Sequence, residues 1–177
     1  CGLPVIKIAE LKSGVDDQTK WSQRTLSPDQ TIESGDLLYS WSGSPDTSLE
    51  AFRWTGKRGL LNQHIFKIVA ESELKKQFVY FLLRALREVL VAIAKNKQTT
   101  GLGHVTVSDM KQLPVTIPDE SGFESFSRLL SPIYERTYQA QLENIRLASI
   151  RDSLLPRLIA GDLHINNPDK FLKDAGL

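Results

Sequence analysis

The longest hydrophobic pattern in the sequence runs from Pro132 to Asp162 and predicts one long helix. Apolar residues recur three or four positions apart, which places them along one helical face; they are Ile133, Tyr134, Tyr138, Leu142, Ile145, Ile150, Leu154 and Leu158. Pro132 suits the first turn and Gly161 suits the end. Such a helix is marginally stable alone, so its apolar seam should pack against a partner helix.

A second helical pattern begins after Ser72, a good N-cap residue, and extends to about Lys95. Its apolar stripe, which predicts packing on a sheet, comprises Leu74, Phe78, Leu82, Leu86, Val89 and Ile93. A shorter helix is predicted over 123–130, before Pro132.

Runs of β-branched, aromatic and leucine residues predict short strands between turn residues. These runs are Val5 to Ile8, Leu37 to Trp41, Leu60 to Val69 and His104 to Val107. The predicted fold class is α+β: a domain over residues 1–121, with a small sheet and a packed helix, precedes a long helical region over 122–163 and a tail over 164–177.

Composition restricts the function classes. The chain has 177 residues, 41% of them hydrophobic, and a formal net charge of +1. A near-neutral charge gives no support to nucleic-acid binding, which must therefore depend on local patches. Cys1 is the single cysteine, so a disulfide framework is excluded and a reducing cytoplasm is expected. A lipid anchor on Cys1 is disfavoured because a strand-like run follows almost immediately.

Two loops carry residues suited to DNA. The first holds Arg53, Trp54, Lys57 and Arg58 beside two glycines. Arginine and lysine suit phosphates and guanine edges, and glycine permits close backbone approach; a solvated hairpin tip is the alternative. The second loop offers phosphate-binding and base-reading side chains, namely Lys95, Lys97, Gln98, Thr99, Thr100 and His104. Trp41, Ser42 and Trp54 are expected as neighbours of this second loop.

Several stretches resemble the specificity subunits of type I restriction–modification systems. The helix end from Arg151 to Leu163 does so, as do the Gly-Asp-Leu-Leu element at Gly35 and the segments 59–64 and 95–118. The resemblance implies a target-recognition domain followed by a spacer helix. It further implies double-stranded DNA, methyltransferase subunits and a restriction subunit as partners.

Complete members of that family carry two recognition domains and two antiparallel helices, so this chain is expected to be a half-subunit or a C-terminal fragment. We expect a homodimer, paired as an antiparallel coiled coil, with a seam of Ile133, Tyr138, Leu142, Ile145, Ile150 and Leu154.

No catalytic residue, metal ligand or cofactor is predicted. Asp46, Glu73 and Lys75 match the sequence motif of metal-dependent nucleases, in which one acid precedes Glu-x-Lys. Glu73 and Lys75, however, open a predicted helix and point to different faces. His64 has no second ligand at metal spacing. The alternatives to a DNA-recognition subunit are a helical scaffold without DNA binding and, third, an enzyme.

Overall fold

The computed structural model describes residues 2–24, 27–98 and 101–163. Its strands are β1 (Leu3–Ile6), β2 (Trp21–Ser22), β3 (Thr31–Ile32), β4 (Leu37–Ser40), β5 (Ser42–Gly43), β6 (Glu50–Arg53), β7 (Gly59–Leu61), β8 (Ile65–Ile68) and β9 (Gly103–His104). Its helices are α1 (Ile8–Ser13), α2 (Pro45–Ser48), α3 (Glu73–Ala85), α4 (Arg87–Asn96), α5 (Val107–Lys111) and α6 (Glu120–Ile159). The predicted α+β class and the long C-terminal helix are confirmed.

Strand β4 forms the centre of the molecule's core. It pairs antiparallel with β6 on one side and with β8 on the other. Successive side chains of a strand point to opposite faces, and here both faces are covered. Leu37 and Tyr39 enter a core with helices α3, α4 and α6, whereas Leu38 enters a second core with Ile6 and Ile32.

The second core lies against a four-stranded sheet in the order β2-β1-β7-β3. Strands β1 and β7 run parallel, with Val5 opposite Leu60, while the other pairs are antiparallel. The four-stranded sheet thus covers one face of β4, and the helices cover the other face.

The single helix predicted from Ser72 to Lys95 is wrong in one respect, because it is divided at Leu86. Ser72 does cap α3, since its side chain accepts a hydrogen bond from the Lys75 amide. Leu86 then takes φ −84° and ψ 2°, and α4 begins at Arg87. Helix α3 contacts β6, whereas α4 contacts α2 and β9. Apolar spacing alone carries no signal for this division.

The predicted helix start at Pro132 is also wrong, because α6 begins at Glu120 and passes through Pro132. Asp119 acts as the cap: its carboxylate accepts hydrogen bonds from the Gly122 amide at 2.9 Å and from the Ser121 hydroxyl at 3.1 Å. These bonds lower the pKa of Asp119. Edge-to-face packing of Phe78 on Phe123 and Phe126, at 5.3 and 5.5 Å, holds the first turns and offsets the bond lost at an interior proline.

Several predicted strands have bounds other than those expected. The strand predicted from Val5 to Ile8 ends at Ile6, because α1 begins at Ile8. The run from Leu60 to Val69 divides into β7 and β8 around a turn in which the Ile65 amide bonds the Asn62 carbonyl. Strand β9 ends at His104 because Thr106 caps α5. The predicted end near Gly161 is confirmed, with a φ of 78° at that glycine.

The chain divides into two compact units, Cys1–Tyr138 and Gln139–Leu177. Among the described helices, none combines the length and the apolar character needed to cross a membrane.

Candidate nucleic-acid interface

The C-terminal end of β4 brings together residues from three separate parts of the chain. Ser42 lies opposite His104 in the β5–β9 pair. The Trp41 amide donates to the His64 carbonyl at 3.2 Å, and the Val105 amide donates to the Trp41 carbonyl at 2.9 Å. Trp41 and Ser42 therefore lie next to His104, the last residue of the second loop, as predicted.

Aromatic rings pack around Trp41 at this end. Its ring stacks on Phe66 with centroids 5.3 Å apart and an interplanar angle of 15°. The exposed rings of His64 and His104 lie 5.7 and 6.5 Å from it. We name the group Trp41, Ser42, His64 and His104 the Trp41 surface. It presents a hydroxyl and two imidazoles, which can donate and accept hydrogen bonds.

The C-terminal end of α4 packs beside the Trp41 surface. A Cβ on Gly103 would lie 2.4 Å from the Ala94 carbonyl oxygen and 2.8 Å from a Pro45 ring carbon, so a glycine is needed for this approach. The packing places the exposed residues Lys95, Lys97 and Gln98 next to β9.

Both lysines are paired with carboxylates. Lys95 Nζ lies 2.7 Å from Asp46 Oδ1. Lys97 Nζ contacts both carboxylate oxygens of Asp109, at 2.5 and 2.7 Å. The Thr106 amide and hydroxyl also donate to Asp109, which completes the capping box of α5. Lys97 first, and then Thr106, hold the pKa of Asp109 well below its usual range, so this carboxylate remains charged near neutral pH.

The first predicted loop lies at the other end of β4. Arg53 is opposite Leu37, the Gly35 amide donates to the Trp54 carbonyl at 2.7 Å, and Arg58 pairs with Glu33 at 3.3 Å. Three steps at ~3.3 Å each separate Leu37 from Ser40, or ~10 Å along the strand. Within the described residues, the structure therefore does not bring the 53–58 loop together with residues 95–98 and 101–104.

Trp54, predicted as a neighbour of the second loop, belongs to the second core instead. It is 2% exposed, and its indole N–H donates to the Lys57 carbonyl at 2.8 Å. A Cβ on Gly56 would lie 2.3 Å from the indole ring. The glycine thus permits close approach to Trp54, while Lys57 and Arg58 remain exposed at the turn.

Arg53, predicted as a phosphate contact, is held by helix α6. Its guanidinium carbon lies 4.4 Å from the Tyr134 ring centroid and 3.9 Å from that of Tyr138. Its Nη1 donates to Glu135 at 3.0 Å, and its side chain is 13% exposed. We name Arg53, Tyr134, Glu135 and Tyr138 the Arg53 clamp.

Tyr138 was predicted to belong to the dimer seam, but it packs within its own unit. It is 8% exposed, and its hydroxyl bonds the Ser34 hydroxyl at 2.8 Å and the Trp54 carbonyl at 3.3 Å. The remaining seam residues leave apolar surface free. Ile133, Ile145 and Ile150 are 53, 50 and 44% exposed, and Leu142 and Leu154 are half-buried.

Three residues at this site, His64, Asp46 and Asp109, were not among the predicted DNA-binding residues. His64 has no motif of its own, and Asp46 and Asp109 are ordinary surface acids until the fold sets them against lysines. The predicted site residues Thr99 and Thr100 lie outside the described residues. Within residues 2–24, 27–98 and 101–163, no group of three or more His, Cys, Asp or Glu side chains is arranged to hold a metal ion.

Comparison with known proteins agrees with the family resemblance. Residues 2–144 match the family described as type I restriction modification DNA specificity domain. The MjaIX specificity subunit of a type I restriction enzyme from Methanocaldococcus jannaschii is 30% identical over 97 residues, 55% of this chain and 22% of that protein. The HindI specificity subunit of a type I restriction enzyme from Haemophilus influenzae is 29% identical over 111 residues, 62% of this chain and 24% of that protein. Each match thus covers less than a quarter of the relative's length.

Proposed function

Because the chain belongs to the type I restriction modification DNA specificity family, we propose that it binds double-stranded DNA sequence-specifically and directs separate methyltransferase and restriction subunits to that DNA. Catalysis belongs to those partners. The chain supplies recognition through residues 1–121 and pairing through the helix that follows.

The observation that carries the proposal is the convergence at the C-terminal end of β4. Imidazole and hydroxyl groups can bond base edges in the major groove, an amide such as Gln98 suits adenine, and lysines suit phosphates. The Trp41 surface and the adjacent residues Lys95, Lys97 and Gln98 provide all of these within one unit. Arg58 and Lys57, at the opposite end of β4, are assigned no base contact.

A matched pair of variants tests the location. Lys95 and Arg58 are both exposed cations with one carboxylate partner, at opposite ends of β4. If Lys95 contacts a phosphate, Lys95→Ala lowers the slope of log K against log salt by ~0.9. Arg58→Ala leaves the slope unchanged. Fluorescence anisotropy with a labelled duplex, read across salt concentrations, measures both; equal slopes in the two variants would refute the assignment.

Base selection is tested by exchanging residues 98–104 for the same loop of a relative. The recognised sequence, mapped as methylated sites in cells carrying the complete system, should change while non-specific affinity stays nearly constant. An identical motif after the exchange would reduce the loop to a structural role.

We further propose that the exposed apolar positions of α6 pair with a second helix, either of another copy or of a partner. Leu147, Ile150, Leu154 and Leu158 follow one another at intervals of three and four residues. Leu147 and Ile150 are 55 and 44% exposed. Soluble chains rarely leave such a row open to water. If two copies pair antiparallel, the DNA site is an inverted repeat.

A further inference from the structure

The lysines beside the Trp41 surface are each held by a carboxylate, which is unexpected for a surface that should attract phosphate. Lys95 pairs with Asp46 at 2.7 Å, and Lys97 pairs with Asp109 at 2.5 Å. The Arg87 guanidinium also donates to the main-chain carbonyl of Asp46. To bind a phosphate, each lysine must leave or share its carboxylate.

We infer that Asp46 and Asp109 lower the non-specific affinity of this surface for DNA. The inference rests on the proposed function. Non-specific binding comes almost entirely from phosphate contacts, so a carboxylate that competes for each lysine weakens it directly. Phosphates also approach two fixed negative charges, and like charges facing one another disfavour the encounter.

The two acids are built differently for the same effect. Asp109 is fixed by the Thr106 amide and hydroxyl, at 2.8 and 2.7 Å, and its side chain is 14% exposed. Asp46 lies in the first turn of α2, and its side chain is 64% exposed, so replacing it should affect folding less than replacing Asp109. Asp46 is therefore the cleaner position for a test.

The expected magnitude follows from surface electrostatics. Exposed ion pairs contribute up to about fivefold in an equilibrium constant. Repulsion between one carboxylate and a nearby phosphate in salt water adds about twofold. Asp46→Asn should therefore raise non-specific affinity about 3- to 10-fold at ~0.1 M salt.

Fluorescence anisotropy with a labelled random-sequence duplex of about 30 base pairs measures this gain in the full chain. In a Lys95→Met background the gain from Asp46→Asn should fall to about twofold, because the competition for Lys95 is gone and repulsion alone remains. Asp109→Asn, checked for folding by circular dichroism, should raise affinity in the same direction.

Glu71→Gln is the matched control. Glu71 also pairs with a lysine, Lys75, and it is 83% exposed. It follows β8, whose Ile68 lies opposite Leu37 at the far end of β4. The variant changes net charge by the same unit, so its gain should stay below about 1.5-fold if location decides the effect.

The outcomes separate the inference from the proposed function. Salt-dependent binding with no gain in Asp46→Asn, or with an equal gain in Glu71→Gln, overturns the inference and leaves the proposed function standing. If the unmodified chain and every variant fail to bind the duplex even at ~50 mM salt, both are overturned.

Discussion

Replacing Arg53 with alanine should destabilise the Cys1–Tyr138 unit rather than weaken its binding to DNA. The guanidinium lies against two tyrosine rings and bonds a carboxylate while its side chain is 13% exposed. A cation over an aromatic ring contributes ~0.5–2 kcal/mol, with the larger values at desolvated sites, and a half-exposed ion pair adds ~0–1 kcal/mol. With two rings, the loss for Arg53→Ala should be ~2–4 kcal/mol.

Urea denaturation followed by tryptophan fluorescence and circular dichroism gives the measurement. With a slope of ~2 kcal/mol per molar, the loss lowers the midpoint by ~1–2 M. Coincident transitions by the two probes establish that a single midpoint is meaningful. Arg53→Lys keeps the charge but loses the planar contact with the rings. Its urea midpoint should therefore lie between those of the unmodified chain and Arg53→Ala.

Arg58→Ala is the control, because Arg58 and its partner Glu33 are 59 and 60% exposed. A surface substitution of this kind changes stability by less than ~0.5 kcal/mol. If Arg53→Ala shifts the midpoint no further than Arg58→Ala, or if it changes the salt slope of DNA binding while stability is unchanged, the Arg53 clamp is refuted. The phosphate role predicted from sequence would then regain support.

Four further predictions concern individual residues. Tyr138→Phe loses the bonds to Ser34 and the Trp54 carbonyl and should cost ~1 kcal/mol in urea denaturation; Tyr134→Phe should cost less, because the buried Tyr134 hydroxyl has no partner among the described residues. Burial raises the pKa of Tyr134 to about 12, so the folded state retains a proton that the unfolded state loses above pH ~10 and stability falls as pH rises further; Tyr134→Phe should reduce that alkaline loss, and an unchanged alkaline limb would contradict this. Gly56→Ala places a methyl against the Trp54 ring and should cost ~1–3 kcal/mol, detected as a lower thermal midpoint. Ile150→Glu should shift a helix-paired dimer towards the 19.9 kDa monomer in sedimentation equilibrium, whereas Ser153→Glu adds the same charge and should not; a monomeric unmodified chain at tens of micromolar would assign the helix face to another partner.

Local signals predicted much of the fold. Ser72 caps α3, Gly161 ends the region of the long helix, and Trp41 and Ser42 do adjoin His104. The helix cap and the helix end depend on the conformational preference of a single residue. The position of Trp41 and Ser42 depends on a strand and the turn beside it, and neighbouring residues in the sequence determine both. The helix start at Glu120 also has such a signal, since Asp119 follows a proline and caps the helix, but Pro132 is itself typical of a first turn and predicts the later start.

The location of the basic residues could not be predicted in the same way. Arg53, Trp54, Lys57 and Arg58 read as one patch because they are adjacent in sequence. The position of the Arg53 side chain is set by two tyrosines that follow it by more than eighty residues. The burial of Trp54 is set by its packing in the second core. The pattern of a basic, aromatic, glycine-containing loop is the same for an exposed patch and for a buried clamp, so tertiary contacts alone distinguish them.

Strand β4 connects the proposed recognition surface to the contacts that attach α6. Its four residues are at most 2% exposed, so the strand is held on both faces. Its first residue, Leu37, pairs with Arg53 and so adjoins the Arg53 clamp on α6, and its last, Ser40, leads directly into the Trp41 surface. Substitutions around His104 therefore act ~10 Å along a buried strand from the contacts that hold α6 at Tyr134 and Tyr138. If the 98–104 loop selects bases as proposed, it can change that preference while the attachment of α6 at the other end of β4 keeps its geometry.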